Sequence, residues 1–184
     1  MYYVIQVAPG TEDKTEMLIR GKVKANTYTR CFHPVRHMRK KFHGEWRDLY
    51  EKLLPGYVFI ISQSIGELYG ELRRVPALTK LLGKEGDLFI SLAEYEIEWL
   101  EQIVSLRRNE PRTDADCAEV GLSQVMVTEE NRVMVLSGPL KGIEGRIRKM
   151  NLHKRVAEVE VDFMGRKTIV YLGIEIVRTR TIEN

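Results

Sequence analysis

The chain is predicted to be an α+β protein, with a mixed β-sheet and flanking helices over residues 1–107, a tether at 108–122, and a small β-barrel at 123–184. Three observations predict this. Up to Leu106, strand-like runs alternate with segments of helical period in the order strand, helix, strands, helix, strand, helix, which is how helices come to pack on a sheet. Residues 107–121 are then polar, contain Pro111 and show no period. From Gln124 onward short strands are separated by sharp turns, as in a closed β unit.

The elements follow in order. Residues 2–7 read as a strand, and Thr11 offers an N-cap for a helix carrying Met17, Leu18 and Val23, with Glu12 and Asp13 in its first turn. Residues 29–38 are rich in strand formers; Arg39 to Gly44 reads as a hairpin tip, with Trp46 on the return strand. Leu53-Leu54-Pro55-Gly56 is a turn before a buried strand at 57–61. Ser64 with Glu67, and Ser91 with Glu94, have the spacing of capping boxes. The first precedes a short helix holding Leu68 and Leu72; the second precedes a helix with Tyr95, Ile97, Leu100, Ile103, Val104 and Leu106. Residues 75–82 read as a strand broken by Pro76. In the barrel, Val133 to Ile147 is a strand, a turn through Gly138-Pro139 and Lys141-Gly142, and a returning strand. Val159, Val161 and Phe163 alternate with Glu158, Glu160 and Asp162, so that strand is wet on one face. Met164-Gly165-Arg166-Lys167 is the next turn and 168–172 the next strand.

Composition narrows the function classes. At 43% hydrophobic residues the chain has material for real cores, so disorder is not expected. A net charge of +3 is too small to identify a nucleic-acid partner unless the cations cluster. Two cysteines, Cys31 and Cys117, make no disulfide framework and fit a reducing cytoplasm. Met1 to Pro9 is too short for a secretion signal, and no apolar run reaches membrane-spanning length, so a soluble cytoplasmic monomer away from membranes is expected. No serine-histidine-acid order, phosphate loop or paired-carboxylate motif stands out, so no enzyme and no cofactor is expected. Cys31, His33, His37 and His43 are the one metal-like group, but they spread along an extended segment rather than converging on a tetrahedron; no metal is expected.

Five segments carry a family resemblance. Leu54-Pro55-Gly56-Tyr57-Val58-Phe59 matches a Phe-Pro-Gly-Tyr-Val element, with Leu54 in place of Phe. Arg74-Val75-Pro76-Ala77-Leu78 through Leu82-Gly83 resembles a Thr-Pro-Gly-Val…Val-Gly stretch, with Ala77 in place of Gly. Ser91 to Glu96 resembles the start of a last amino-terminal helix, while Ser137 to Gly142 and Phe163 to Arg166 resemble two segments of a KOW domain, with Gly142 as the KOW glycine. In that order they resemble the NusG family of transcription factors, an NGN domain tethered to a KOW domain of SH3-like barrel form. The departures, including Glu130-Asn131 where Gly-Asp is usual, resemble a specialised paralog of the LoaP/RfaH antiterminator type.

The resemblance implies the partners. The NGN domain would bind the clamp helices of RNA polymerase, and strand parity puts Tyr57, Phe59 and Ile61 on one face for that contact. The alternative is that these side chains simply fill the NGN core. His37, Arg39, Lys40 and Lys41, with His43 and Arg47, would lie near upstream DNA, or form a solvated loop. In the KOW half, Arg146, Arg148 and Lys149, then His153, Lys154 and Arg155, then Arg166 and Lys167, make a basic rim, with the acids on a separate strand face. That rim would grip nascent RNA, as a hairpin read by shape and phosphate contacts, or the KOW domain would dock on a ribosomal protein or on Rho. The implied function is processive antitermination at selected operons; the alternatives are a housekeeping NusG and a free-standing, ribosome-associated RNA-binding protein. Refolding of the KOW half into helices is not expected, because Val156 to Phe163 alternates strictly and Gly142, Gly145 and Gly165 oppose helix.

Overall fold

The computed structural model describes residues 1–75, 90–104 and 118–177. The strand expected over 75–82, the second resembling segment, Leu106, most of the tether with Cys117, and the terminal Arg178 and Arg180 lie outside or largely outside those residues.

The first sheet contains β1 (Tyr2–Gln6), β2 (Arg30–Phe32), β5 (Tyr57–Ile61) and β6 (Ile90–Ser91), in the order β2-β5-β1-β6. Its described ladders are antiparallel. Helices α1 (Glu12–Lys22) and α2 (Ile65–Arg73) cover one face, where Ile5, Ile19, Val58, Ile60, Leu68 and Leu72 form a closed core. The opposite face carries Tyr2, Val4, Phe32 and Phe59 and packs on α3 (Glu94–Ile103) through Trp99, Leu100 and Ile103. The parity predicted for β5 is therefore observed, with Val58 and Ile60 in one core and Tyr57, Phe59 and Ile61 at the other.

A buried carboxylate locks the turn ahead of β5. Gly56 adopts φ +87°, a conformation that favours glycine, and a Cβ there would also crowd Val7 O at 3.2 Å. Its N–H donates to Glu12 Oε1 at 2.7 Å, while Gly10 N–H donates to Glu12 Oε2 at 2.8 Å. Burial pushes the Glu12 carboxyl up, but the hydrogen bonds from Gly56 and Gly10 and the charge of Lys52 outweigh it and hold the group below its ordinary range.

The predicted hairpin is β3 (Val35–Phe42) and β4 (Glu45–Lys52). Its turn is His43-Gly44, so Arg39, Lys40 and Lys41 lie on β3 and not at the tip. β7 (Glu119–Val120) falls within the stretch expected to be a tether, yet it pairs parallel to β3, and Ala118 and Val120 are buried. Neither capping box forms where predicted. Ser64 makes no side-chain cap hydrogen bond, and α3 begins two residues later than the Ser91 box requires, with Glu96 accepting from Ala93 N–H at 2.8 Å. Apolar packing of α2 and α3 decides their position without the Ser caps.

β8 (Ser123–Val127), β9 (Val133–Ser137), β10 (Ile147–Asn151), β11 (Val156–Phe163) and β12 (Arg166–Ile176) form a five-stranded sheet, β10-β11-β12-β8-β9. Val135 of edge strand β9 and Ile147 of edge strand β10 pack on the same core as Val125, Val159 and Leu172, so the sheet curls around it. Along β11 buried and half-buried residues alternate without exception, as predicted.

Candidate functional site

The aromatic face of β5 is occupied by the protein's own barrel. Phe59 is 0% exposed and stacks on Phe32 with centroids 5.5 Å apart. Phe163, the last residue of β11, sits edge-on to Tyr57 at 5.0 Å and tilted to Phe59 at 6.0 Å. Phe59 thus fills a core shared between the two halves of the molecule, while Tyr57 and Ile61 at its margin stay half-buried. Two polar contacts fix the turn after β11: Trp99 Nε1 donates to Asp162 O at 2.8 Å, and Gly165 N–H donates to Glu96 Oε1 at 2.9 Å. Glu96 therefore serves two donors, its own helix start and the barrel turn, and satisfies both buried carboxylate oxygens.

A second contact joins the hairpin to β12. Gly173 passes so close that a Cβ would lie 2.3 Å from His37 O. Arg36 Nη1 donates to Tyr171 O at 2.9 Å, Arg39 pairs with Glu175 at 2.6 Å, and the Arg155 guanidinium lies 5.1 Å from the centre of the Trp46 ring.

These contacts change the charge picture. On the hairpin, cross-strand register sets basic β3 against acidic β4. His37 pairs with Asp48 at 2.9 Å, Arg39 with Asp48 at 3.1 Å and Arg36 with Glu51 at 3.1 Å; Lys40 also pairs with Glu51. The hydrogen bond from Lys40 is the main reason the Glu51 carboxyl sits below its ordinary range. Lys41 has no carboxylate partner among the described residues. The barrel rim behaves likewise. Arg148 pairs with Glu160 at 2.7 Å, Lys167 with Asp162 at 2.7 Å and Arg146 with Asp162 at 3.7 Å. Hydrogen bonding to Arg148 holds the Glu160 carboxyl low and raises the Arg148 guanidinium. The expected segregation of acids from cations is thus corrected: β11 runs between β10 and β12, so its acids neutralise both neighbours. Among the described residues, Lys149, His153 and Lys154 remain exposed without a carboxylate partner, and Arg166 reaches only the Tyr57 hydroxyl, at 3.4 Å.

The metal-like group disperses. Cys31 is buried, and burial pushes its thiol well up; His33 pairs with Glu16 at 2.6 Å and Asp13 at 3.1 Å. Among the described residues no group of three or more histidine, cysteine or acidic side chains is placed to hold a metal. No described helix is long and apolar enough to cross a membrane.

Sequence reasoning missed Trp99, Glu96 and Gly173. The spacing of Glu96, Trp99, Leu100 and Ile103 marks the buried stripe of α3, whereas Tyr95 is 50% exposed. A tryptophan in that stripe was the available signal.

The family described as transcription termination factor NusG matches residues 1–101, more than half of the chain. The chain belongs to the NusG family. It is 26% identical over 177 residues to the transcription termination/antitermination protein NusG of Lactococcus lactis, covering 94% of this chain and 89% of that protein. It is 23% identical over 181 residues to NusG of Thermus thermophilus, covering 93% and 94%. Its fold is similar to a solved structure of Thermotoga maritima NusG, described as domain interaction in that protein, with TM-score 0.52, 24% identity and coverage of 94% and 92%. Within the NusG fold, the β5 face and the barrel loops are the surfaces to be assigned.

Proposed function

We propose that this NusG-family protein is a non-catalytic transcription elongation factor that docks on the clamp helices of RNA polymerase through the β5 face and promotes processive antitermination at selected operons. The observation that carries the reading is Phe163 lodged against Tyr57 and Phe59. An aromatic patch that accepts one aromatic anchor is suited to accept another, and burying such anchors dominates interface energies. Docking on polymerase then requires the barrel to leave, so polymerase engagement is gated. A gate of this kind fits action at chosen operons, where a recruiting element tips the balance, better than constant occupancy. The recruiting element is an RNA hairpin in the nascent transcript, held by Lys149, His153, Lys154 and Arg166, barrel cations without acidic partners among the described residues. The hairpin's Lys41 is free in the same sense and adds a phosphate contact to upstream DNA.

Tyr57→Ala tests the docking face. Tyr57 is half-buried and edge-on to a single ring, so the fold survives its loss while polymerase co-purification falls. Unchanged co-purification removes the β5 face from the account. Genome-wide polymerase occupancy tests selectivity, with loading confined to a few operons as the expected result and uniform loading as the contrary one.

A further inference from the structure

We propose that the seam between hairpin and barrel is a nucleotide site, taking one nucleobase in a cavity that exists only while the two halves are docked. The cavity measures about 130 Å³ and is lined by Arg39 and Trp46 from the hairpin and by Arg155, Ile174, Glu175 and Ile176 from the barrel. It is small beside the roughly 300–1,000 Å³ of sites that enclose a whole drug-sized ligand. That scale suits one flat ring with the rest of the molecule outside.

The lining has the chemistry a base requires. Trp46, 36% exposed, and the Arg155 guanidinium lying over its ring form a stacked pair that a base can extend, and Ile174 and Ile176 add apolar contact. The Glu175 carboxylate accepts from ring N–H or exocyclic amino groups, and Arg39 donates to ring nitrogens or carbonyls. Arg39 has a donor to spare. Its Nε is buried and makes no hydrogen bond among the described residues; its ion-pair partner Asp48 Oδ1 lies 3.1 Å away, off the N–H direction. A buried donor left unpaired is costly, and a base acceptor in the adjoining cavity relieves it.

Charge outside the cavity complements a phosphate. Lys41 stands directly across the ladder from Trp46 and is exposed without a carboxylate partner among the described residues. Lys154 precedes Arg155 in the turn before β11 and is likewise exposed and unpaired among those residues. Arg155 itself holds φ +57°, a conformation an arginine adopts rarely. Such strain is tolerated where the surroundings fix it, and here it accompanies the contact with Trp46. The nucleotide is either a free mononucleotide or an unpaired residue of an RNA strand. Because both halves build the cavity, a nucleotide seated there stabilises the docked arrangement and opposes release of the β5 face, in competition at Lys154 with the RNA hairpin that draws the barrel away.

The test is calorimetric titration of the full-length protein with ATP, GTP, CTP and UTP, and separately with short single-stranded RNA. The expected result is saturable binding in at least one arm at or below about 1 mM, weakened about tenfold or more in Trp46→Ala and in Arg155→Asn. Asparagine tolerates the left-handed backbone, so the second variant removes the guanidinium without adding strain. Binding of mononucleotides identifies a free effector, and binding of RNA alone identifies a strand; both support the site. Phe163→Ala, which loosens docking elsewhere, must also weaken binding. Absence of binding in both arms overturns the proposal, as does binding that neither Trp46→Ala nor Arg155→Asn alters. Polymerase co-purification with Tyr57→Ala is read independently, so the fate of the docking face and the fate of this site are distinguishable.

Discussion

Replacing Phe163 by alanine is expected to part the barrel from the β5 face. The Phe163 ring is 1% exposed, contacts Tyr57 and Phe59, and ends the inward-facing row of Ala157, Val159 and Val161. Phe→Ala at a buried site costs about 3–5 kcal/mol. Part of that falls on the barrel's own core, and we assign roughly half, about 2 kcal/mol, to docking. A change of about 2 kcal/mol lowers the ratio of docked to undocked molecules about thirtyfold, since 1.4 kcal/mol is a factor of ten. The assay uses the two tryptophans the chain contains. With Trp46→Phe as background, Trp99 is the sole reporter, 1% exposed and hydrogen-bonded to Asp162 O. Phe163→Ala should shift its emission to the red while the far-ultraviolet spectrum keeps its β signature. Glu96→Ala leaves the barrel core intact and removes the acceptor for Gly165 N–H, so it should give the same shift. Unchanged Trp99 emission in both variants, with the fold retained, would refute the reasoning.

Gly173→Ala should lower the melting temperature and loosen the hairpin from β12, because the new Cβ would lie 2.3 Å from a backbone oxygen that cannot yield cheaply; overpacking of this kind costs about 1–3 kcal/mol. Acid should weaken the fold through Glu12, Asp13 and Glu51, whose carboxyls are held below their ordinary values. Their folded pKa values are depressed, so the stability they contribute is present above the unfolded pKa and is lost as pH falls through the folded one. Denaturant melts of Glu12→Gln should show a shallower loss below about pH 4.5 than the wild type. For RNA, Lys154→Ala should reduce the salt slope of hairpin binding by about 1, whereas Arg148→Ala, which removes a partner of Glu160, should change it less. Equal effects of the two would show that cross-strand pairing does not silence a rim cation.

Local pattern carried much of the fold into view. Alternation along β11, the parity of β5, the hairpin around His43-Gly44 and the buried Leu100 and Ile103 of α3 all follow from periods that a few residues suffice to define. The site was less legible because its properties are non-local. Arg39 and Lys40 look like free cations until the ladder brings Asp48 and Glu51 against them. Arg148 looks like a rim contact until β11 delivers Glu160. Phe59 looks like a docking anchor, and the sequence holds no statement that Phe163, about a hundred residues on, will seat against it. The capping boxes failed for two other reasons: α3 starts two residues beyond the place Ser91 requires, whereas α2 does start after Ser64 but the Ser64 side chain makes no cap hydrogen bond.

The central claim is that the β5 face serves the barrel and the polymerase in turn. Its most direct test is the affinity of RNA polymerase for the full-length wild type and for Phe163→Ala, measured side by side. If the barrel competes for Tyr57 and Phe59, weakening its hold should tighten polymerase binding, by up to about thirtyfold if docking is the only barrier. Equal or weaker polymerase binding by a folded Phe163→Ala protein would contradict the account.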